Sequence, residues 1–179
     1  NAIHFINPKV DGETKKCGTI PQPAGYASKH IQTFKDTNIP LIPENEWKGL
    51  VEHKVETGSQ ISDVWKRQGV PILDQNGRGY CWAHSGASCV QALRALANLP
   101  TVGLSAYHPA CIIKSYRDEG GWGAQGLDFI SEKGIASEAF WPMKSAARSN
   151  DKPEMWANAL LHRVTEGWVE TEKAQYDRN

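Results

Sequence analysis

The stretch CWAHSGASCVQALRALANLP, residues 81–100, constrains the fold of this chain more than any other. Ala83, Ala87, Val90, Leu93, Leu96 and Ala97 recur at helical spacing and NLP closes the pattern, which predicts a helix over 81–97. Gly86 and Ser88 carry too little side chain to hold a neighbour away, so another element can pack close. A Gly-rich loop, DQNGRGY, leads into the helix and leaves Cys81 at its first turn.

The remaining segments arrange themselves around that helix. Residues 1–59 are broken by Pro8, Pro21, Pro23, Pro40 and Pro43, their apolar residues are isolated, and NPKVDG, PQPAG and NIPLIPENEW read as turns and extended pieces. This is expected to be an arm or pro-segment-like region, with plausible helix starts around ASKHIQTF and ENEWKGLVEHK. A compact unit is expected over 60–179. In it, ISDVWKRQ reads as a short helical turn and VPIL as a strand or extended segment. SAYHPACIIKSYRDE reads as a helix with Ser105 as N-cap. GAQGLDFISEKGI reads as a helix stopped at Gly134, and KPEMWANALLHRV as one that starts near Pro153. Met155, Ala157, Leu160 and Leu161 are its expected apolar face.

Composition narrows the function. Twenty basic and twenty acidic residues are mixed along the 179-residue chain without a basic stripe, which argues against a nucleic-acid partner. No window approaches eighteen apolar residues and the first twenty lack the apolar core of a secretory signal, so neither a membrane partner nor export is expected. The chain begins with Asn1 rather than Met, as a processed or internal start would. Cys17, Cys81, Cys89 and Cys111 are too few and too scattered for a disulfide framework or a structural zinc site; no metal and no cofactor is expected. Buried thiols in a reducing compartment are the plain reading of three of them.

Cys81 is placed for chemistry. A thiol attacks an amide as the thiolate, and the unpaired amides and dipole of a helix N-terminus favour that anion. Gln75, six residues upstream, has a side-chain amide able to reach back across the loop. With the backbone N–H of Cys81 it would make two donors converging on one point, the composition of an oxyanion hole.

QNGRGYCWAHS, Gln75 to Ser85, resembles the nucleophile segment of the papain-like cysteine peptidases, whose usual form is Gln-Gly-x-Cys-Gly-Ser-Cys-Trp-Ala-Phe-Ser. DVWKRQGVPILDQ is similar to the family's approach to its active site. LSAYHPACI, GGWGAQGLDFISEKGI and ASEAFWP resemble the segments that follow, in order, over residues 63–142. The resemblance implies an α+β, papain-like fold, present mainly as its helical left subdomain behind an extended N-terminal arm, with the second, barrel half absent or incomplete. It implies Cys81 as nucleophile and Gln75 as oxyanion donor. Gly120 and Gly121 would pair with substrate backbone, and Trp122 would wall the pocket for the side chain two residues before the cut. Trp82 and Ser85 would pack behind Cys81, and the partner would be a peptide or protein substrate.

Departures from the family pattern are as informative. Arg78 and Asp118 stand where the family has a bridging pair of cysteines; an Arg–Asp ion pair is one expectation for them, two solvated side chains the other. The bridge would contribute roughly 2–4 kcal/mol, and its loss suits a reducing compartment or a virus particle. Tyr80 replaces a small residue and is expected to narrow the cleft. The family's His and Asn lie about 130–150 residues beyond the nucleophile, past Asn179, so the base would come from a continuation of the chain or from a neighbouring chain.

None of the six histidines suits that task. His84 lies one turn inside the helix at the family's inward Phe position, where packing with a hydrogen bond is expected. His4, His30 and His53 fall in the arm, His108 in the first turn of a later helix, and His162 at a helix C-terminus that favours its charged form. HSGAS has the wrong order for a serine-hydrolase elbow, and GWGAQG lacks the lysine and the context of a nucleotide loop. The seven tryptophans are expected to pack, with Trp122 set apart in the cleft. Two readings stay open: a cysteine-type peptidase working through a thioester, favoured by Gln75, Cys81, Trp82, Gly120 and Gly121 together, and an inactive papain-derived component of an assembly such as a virion, favoured by the lost bridge and Tyr80.

Overall fold

A computed structural model describes residues 18–24, 26 and 42–165 with their side chains, and the backbone of 9–10, 13–14, 31–33 and 168–170. Two short strands, β1 (Lys9–Val10) and β2 (Glu13–Thr14), pair antiparallel, and β3 (Ile31–Thr33) runs parallel to β4 (Trp168–Glu170). The remaining regular elements are helical: α1 (Glu44–Glu56), α2 (Ile61–Gln68), α3 (Cys81–Leu96), α4 (Tyr107–Ile113), α5 (Gly123–Lys133), a 3₁₀ turn at Arg148–Asn150, and α6 (Pro153–Leu160). This is the helical subdomain expected from the sequence, and no barrel occurs among the described residues.

Helix α3 organises the core because its two halves serve two clusters. Trp82 and Ala83 join Tyr80, Tyr107, Cys111, Trp141 and Met155. Ala87 and Val90 join Leu104, Ile130 and Ile135. Between them, a Cβ on Gly86 would stand 3.2 Å from Ile130, so the missing side chain is what lets α5 lie against α3. Fully burying a large aromatic such as Trp82 or Trp141 stabilises by roughly 1.5–3 kcal/mol or more, and these two rings anchor the first cluster.

Several expectations change in detail. Of the face read for 81–97, Ala83, Ala87 and Val90 are buried, whereas Leu93, Leu96 and Ala97 are exposed. Likewise Met155 and Ala159 are buried on α6 while Ala157, Leu160 and Leu161 are not. Ser105 is not the N-cap of α4: Ala106 holds that position without a side-chain bond, and Ser105 is fully buried. VPIL forms no strand, and Ile72 is 91% exposed. In the arm, ENEWKGLVEHK forms α1, whose Trp47, Leu50, Val51 and Val55 are exposed. Ile31–Thr33, within ASKHIQTF, is strand rather than helix.

Candidate active site

The loop before α3 is shaped by its own side chains. The Asp74 carboxylate accepts the Asn76 N–H at 2.8 Å, and Asn76 and Gly77 follow with φ of 53° and 71°, a left-handed pair suited to Asn and Gly. Lys144 donates to Asp74 from outside at 2.7 Å, and these two contacts hold the carboxyl below its ordinary pKa. Gln75 is half-buried, and its carbonyl accepts the Tyr107 hydroxyl at 3.0 Å and the Arg78 N–H at 3.2 Å. The loop therefore arrives fixed, with Cys81 half-exposed as the first residue of α3.

Hydrogen bonds fasten this loop to the one before α5. Asp118 accepts the Gly79 N–H at 2.7 Å, Tyr80 donates its hydroxyl to the Arg117 carbonyl at 3.0 Å, and the Trp82 indole N–H reaches the carbonyls of Gly79 and Glu119 at 3.1 and 3.4 Å. They tie together the two loops that the family joins by a disulfide. Asp118 thus does its work on a backbone amide, while Arg78 sits with its guanidinium 5.9 Å from the Tyr80 ring centroid. Tyr80 does not narrow the cleft: it is fully buried, edge-on to Tyr107, with burial pushing its phenol up to about 12. Burial likewise pushes the Cys111 thiol up to about 11. Cys81, Cys89 and Cys111 are all free.

Gly121 packs directly on the ring of Trp82, the residue that follows Cys81. A Cβ on Gly121 would meet the Trp82 ring at 2.6 Å, and one on Gly126 would stand 3.5 Å from the same ring. The indole is thus clasped between two glycines, and Gly121 itself is buried. Trp122 is half-buried, with the Lys114 ammonium 5.3 Å from its ring centroid and 5.4 Å from that of Trp82. Ser85 is exposed, so the expectation that it packs behind Cys81 is corrected.

A segment of the chain itself lies against Gly121 and Cys81. The Gly121 N–H donates to the Gly18 carbonyl at 2.8 Å and the Ile20 N–H donates to the Gly121 carbonyl at 2.9 Å, a parallel bridge centred on Thr19. Thr19 Oγ1 lies 2.9 Å from Cys81 Sγ. The fit is close: a Cβ on Gly18 would stand 1.9 Å from the Gly79 carbonyl oxygen, and one on Gly120 would stand 2.7 Å from the Gly18 oxygen. Farther along, the Tyr26 ring meets Trp122 edge-on at 5.2 Å and its hydroxyl donates to Asp128 at 2.5 Å. Thr19, Tyr26 and Asp128 carry no local signal. Backbone pairing across a hundred residues leaves no local pattern, and Asp128 reads as one more polar residue of a helix.

None of the described histidines is arranged as a base for Cys81. His84 is buried against Tyr107 with both ring nitrogens unpaired, and burial lowers its pKa to about 4. The hydrogen bond expected for it is not made. His108 accepts the Ala136 N–H among Phe129, Trp141 and Trp156, and burial lowers it to about 4 as well. His162 is buried on the Ile135 carbonyl and is also lowered, by burial and then by Arg94, the reverse of the charged helix-end group expected. His53 lies in the last turn of α1, and His4 and His30 fall outside the described residues. Among the described residues no group of three or more His, Cys, Asp or Glu would hold a metal ion, and no helix is long and apolar enough to cross a membrane.

No family model matches the chain. Individual proteins do: ananain of Ananas comosus is 26% identical over 126 residues, 69% of this chain and 32% of its own length. The cathepsin L-like proteinase of Phaedon cochleariae is 28% identical over 114 residues, 59% and 35%, and stem bromelain of Ananas comosus 32% over 85 residues, 46% and 40%. The chain is related to the papain-like cysteine proteases. It spans between 32% and 40% of the length of these three relatives. Among solved structures, xylellain, a cysteine protease from Xylella fastidiosa, aligns with a TM-score of 0.46 at 22% identity over 55% of this chain and 45% of that one.

Proposed function

We propose that this chain is the nucleophile-bearing part of a cysteine-type peptidase and that residues 18–26 act as a pro-segment lying in its cleft. The observation that carries the reading is the bridge at Gly121: an extended peptide is bound through its backbone, and a side chain of that peptide touches the Cys81 sulfur. A groove that binds peptide backbone beside a thiol at a helix N-terminus has the parts that acyl transfer needs. The bound segment presents a hydroxyl oxygen to the sulfur, which offers no carbonyl carbon to attack, so it occupies one side of the thiol without being its substrate.

With a substrate in place, Cys81 Sγ attacks the scissile carbonyl carbon and the carbonyl electrons move onto oxygen, where the Cys81 N–H and the Gln75 amide receive the charge. Collapse expels the amine, which takes its proton from an imidazolium, and leaves a thioester. Water, deprotonated by the same imidazole, then adds to the thioester and releases the acid and the thiol. A histidine and an asparagine beyond residue 179, or on a neighbouring chain, supply the imidazole and hold it. His84 does not serve, because a base lowered to about 4 is poorly matched to neutral pH.

The test is hydrolysis of a fluorogenic peptide by the longest natural product that includes this chain, freed of residues 1–59. Cys81→Ala should abolish turnover with the circular dichroism spectrum intact, and Gln75→Ala should lower kcat by about 10²- to 10³-fold. Undiminished turnover in either variant overturns the assignment.

A further inference from the structure

Tyr26 is held by two groups of different chemistry. Its ring lies edge-on to Trp122 at 79°, and its hydroxyl donates to the Asp128 carboxylate, five residues into α5 from Gly123. The backbone directs it there: the Tyr26 N–H closes a turn on the Pro23 carbonyl at 3.0 Å, directly after the extended run that pairs with Gly121. The Lys114 ammonium also lies over the Trp122 ring, 5.3 Å from its centroid. The ring contact accepts any aromatic side chain, whereas the carboxylate rewards only one with a donor at its far end. A hydroxyl-to-carboxylate bond is of the charge-assisted, stronger kind, and phenylalanine cannot make it.

We infer that Trp122 and Asp128 form a subsite for a tyrosine side chain, that Tyr26 is its resident occupant, and that this hold keeps Thr19 on the half-exposed Cys81 sulfur. The ligand class is a peptide bearing a phenol seven residues after the position that meets the thiol. The inference rests on the reading above only in taking the groove as a peptide cleft; it requires no hydrolysis.

The experiment follows the rate at which iodoacetamide alkylates Cys81, read by peptide mass spectrometry on the 179-residue chain. Tyr26→Ala should raise that rate at least tenfold, and Tyr26→Phe by roughly tenfold or somewhat less, the worth of one hydrogen bond to a charged group. In the Tyr26→Ala chain the added peptide GTIPQPAGY should restore slow labelling. GTIPQPAGF should need about tenfold more peptide, and GTIPQPAGA should not protect over the same range. Asp128→Ala, checked for folding by circular dichroism, should make the Tyr and Phe peptides equal; a merely structural role for Asp128 would not. Equal protection by all three peptides, or wild-type labelling of Tyr26→Ala, overturns the subsite. If the order Tyr, Phe, Ala holds while the longer product hydrolyses nothing, the subsite stands and the peptidase reading falls.

Discussion

At the scale of single residues, the two imidazoles lowered to about 4 set an acid limit on this molecule. His84 is 7% exposed and His108 fully buried, and burial opposes the charge of each. In the unfolded chain both would titrate near 6.5, so between about 6.5 and 4 the unfolded state binds more protons than the folded one. Folding stability is therefore unaffected above 6.5 and falls as pH drops through that window, by on the order of 1–3 kcal/mol for each histidine. Urea unfolding at pH 7.5 and pH 5 should show the loss. His84→Phe, which restores the family's residue and removes two unpaired buried nitrogens, should flatten part of the slope and raise stability at pH 7.5 by about 1 kcal/mol. Equal slopes in the two proteins would refute the assignment of the acid limit to His84.

At the scale of elements, what the sequence announced and what it concealed separate by the range of the interaction. Helix α5 ends at Gly134 and α6 begins at Pro153, as read, because a cap is a local matter of φ and of one missing N–H. Gly134 has a second duty: at φ 79° its Cβ would stand 2.0 Å from the Ala159 carbonyl oxygen on α6. Gly134→Ala should cost at least 2–3 kcal/mol in urea unfolding, more than the ~1 kcal/mol typical of a left-handed glycine alone, since the backbone of α6 must move. A cost under 1 kcal/mol would mean the two helices are not in tight contact there. Gly121 was legible as a glycine because the Trp82 ring leaves no room for a side chain there. Tyr80 was misjudged because nothing local distinguishes a tyrosine that fills a core from one that lines a cleft. Strand β3 was misread because its partner β4 lies more than a hundred residues away, and parallel pairing at that distance leaves no periodicity in three residues.

At the scale of the whole molecule, a helical body and the segment laid across it are distinguishable by which glycine is altered. Gly121→Ala drives a methyl group into the Trp82 ring and should destabilise the body by about 1–3 kcal/mol, seen as a lowered Tm. Gly18→Ala collides with Gly79 from the segment's side only, and the segment can leave. It should therefore raise the alkylation rate of Cys81 while Tm stays within a degree or two. A lowered Tm for Gly18→Ala would show that segment and body melt as one unit. Because Thr19 and Cys81 belong to one polypeptide, the segment is a tethered competitor whose effective concentration at the groove is in the millimolar range, whatever the dilution. Peptides arriving from solution at micromolar levels compete poorly with it, so the groove becomes available to others in an all-or-none manner, when the tether is cut or its far anchor is pulled away.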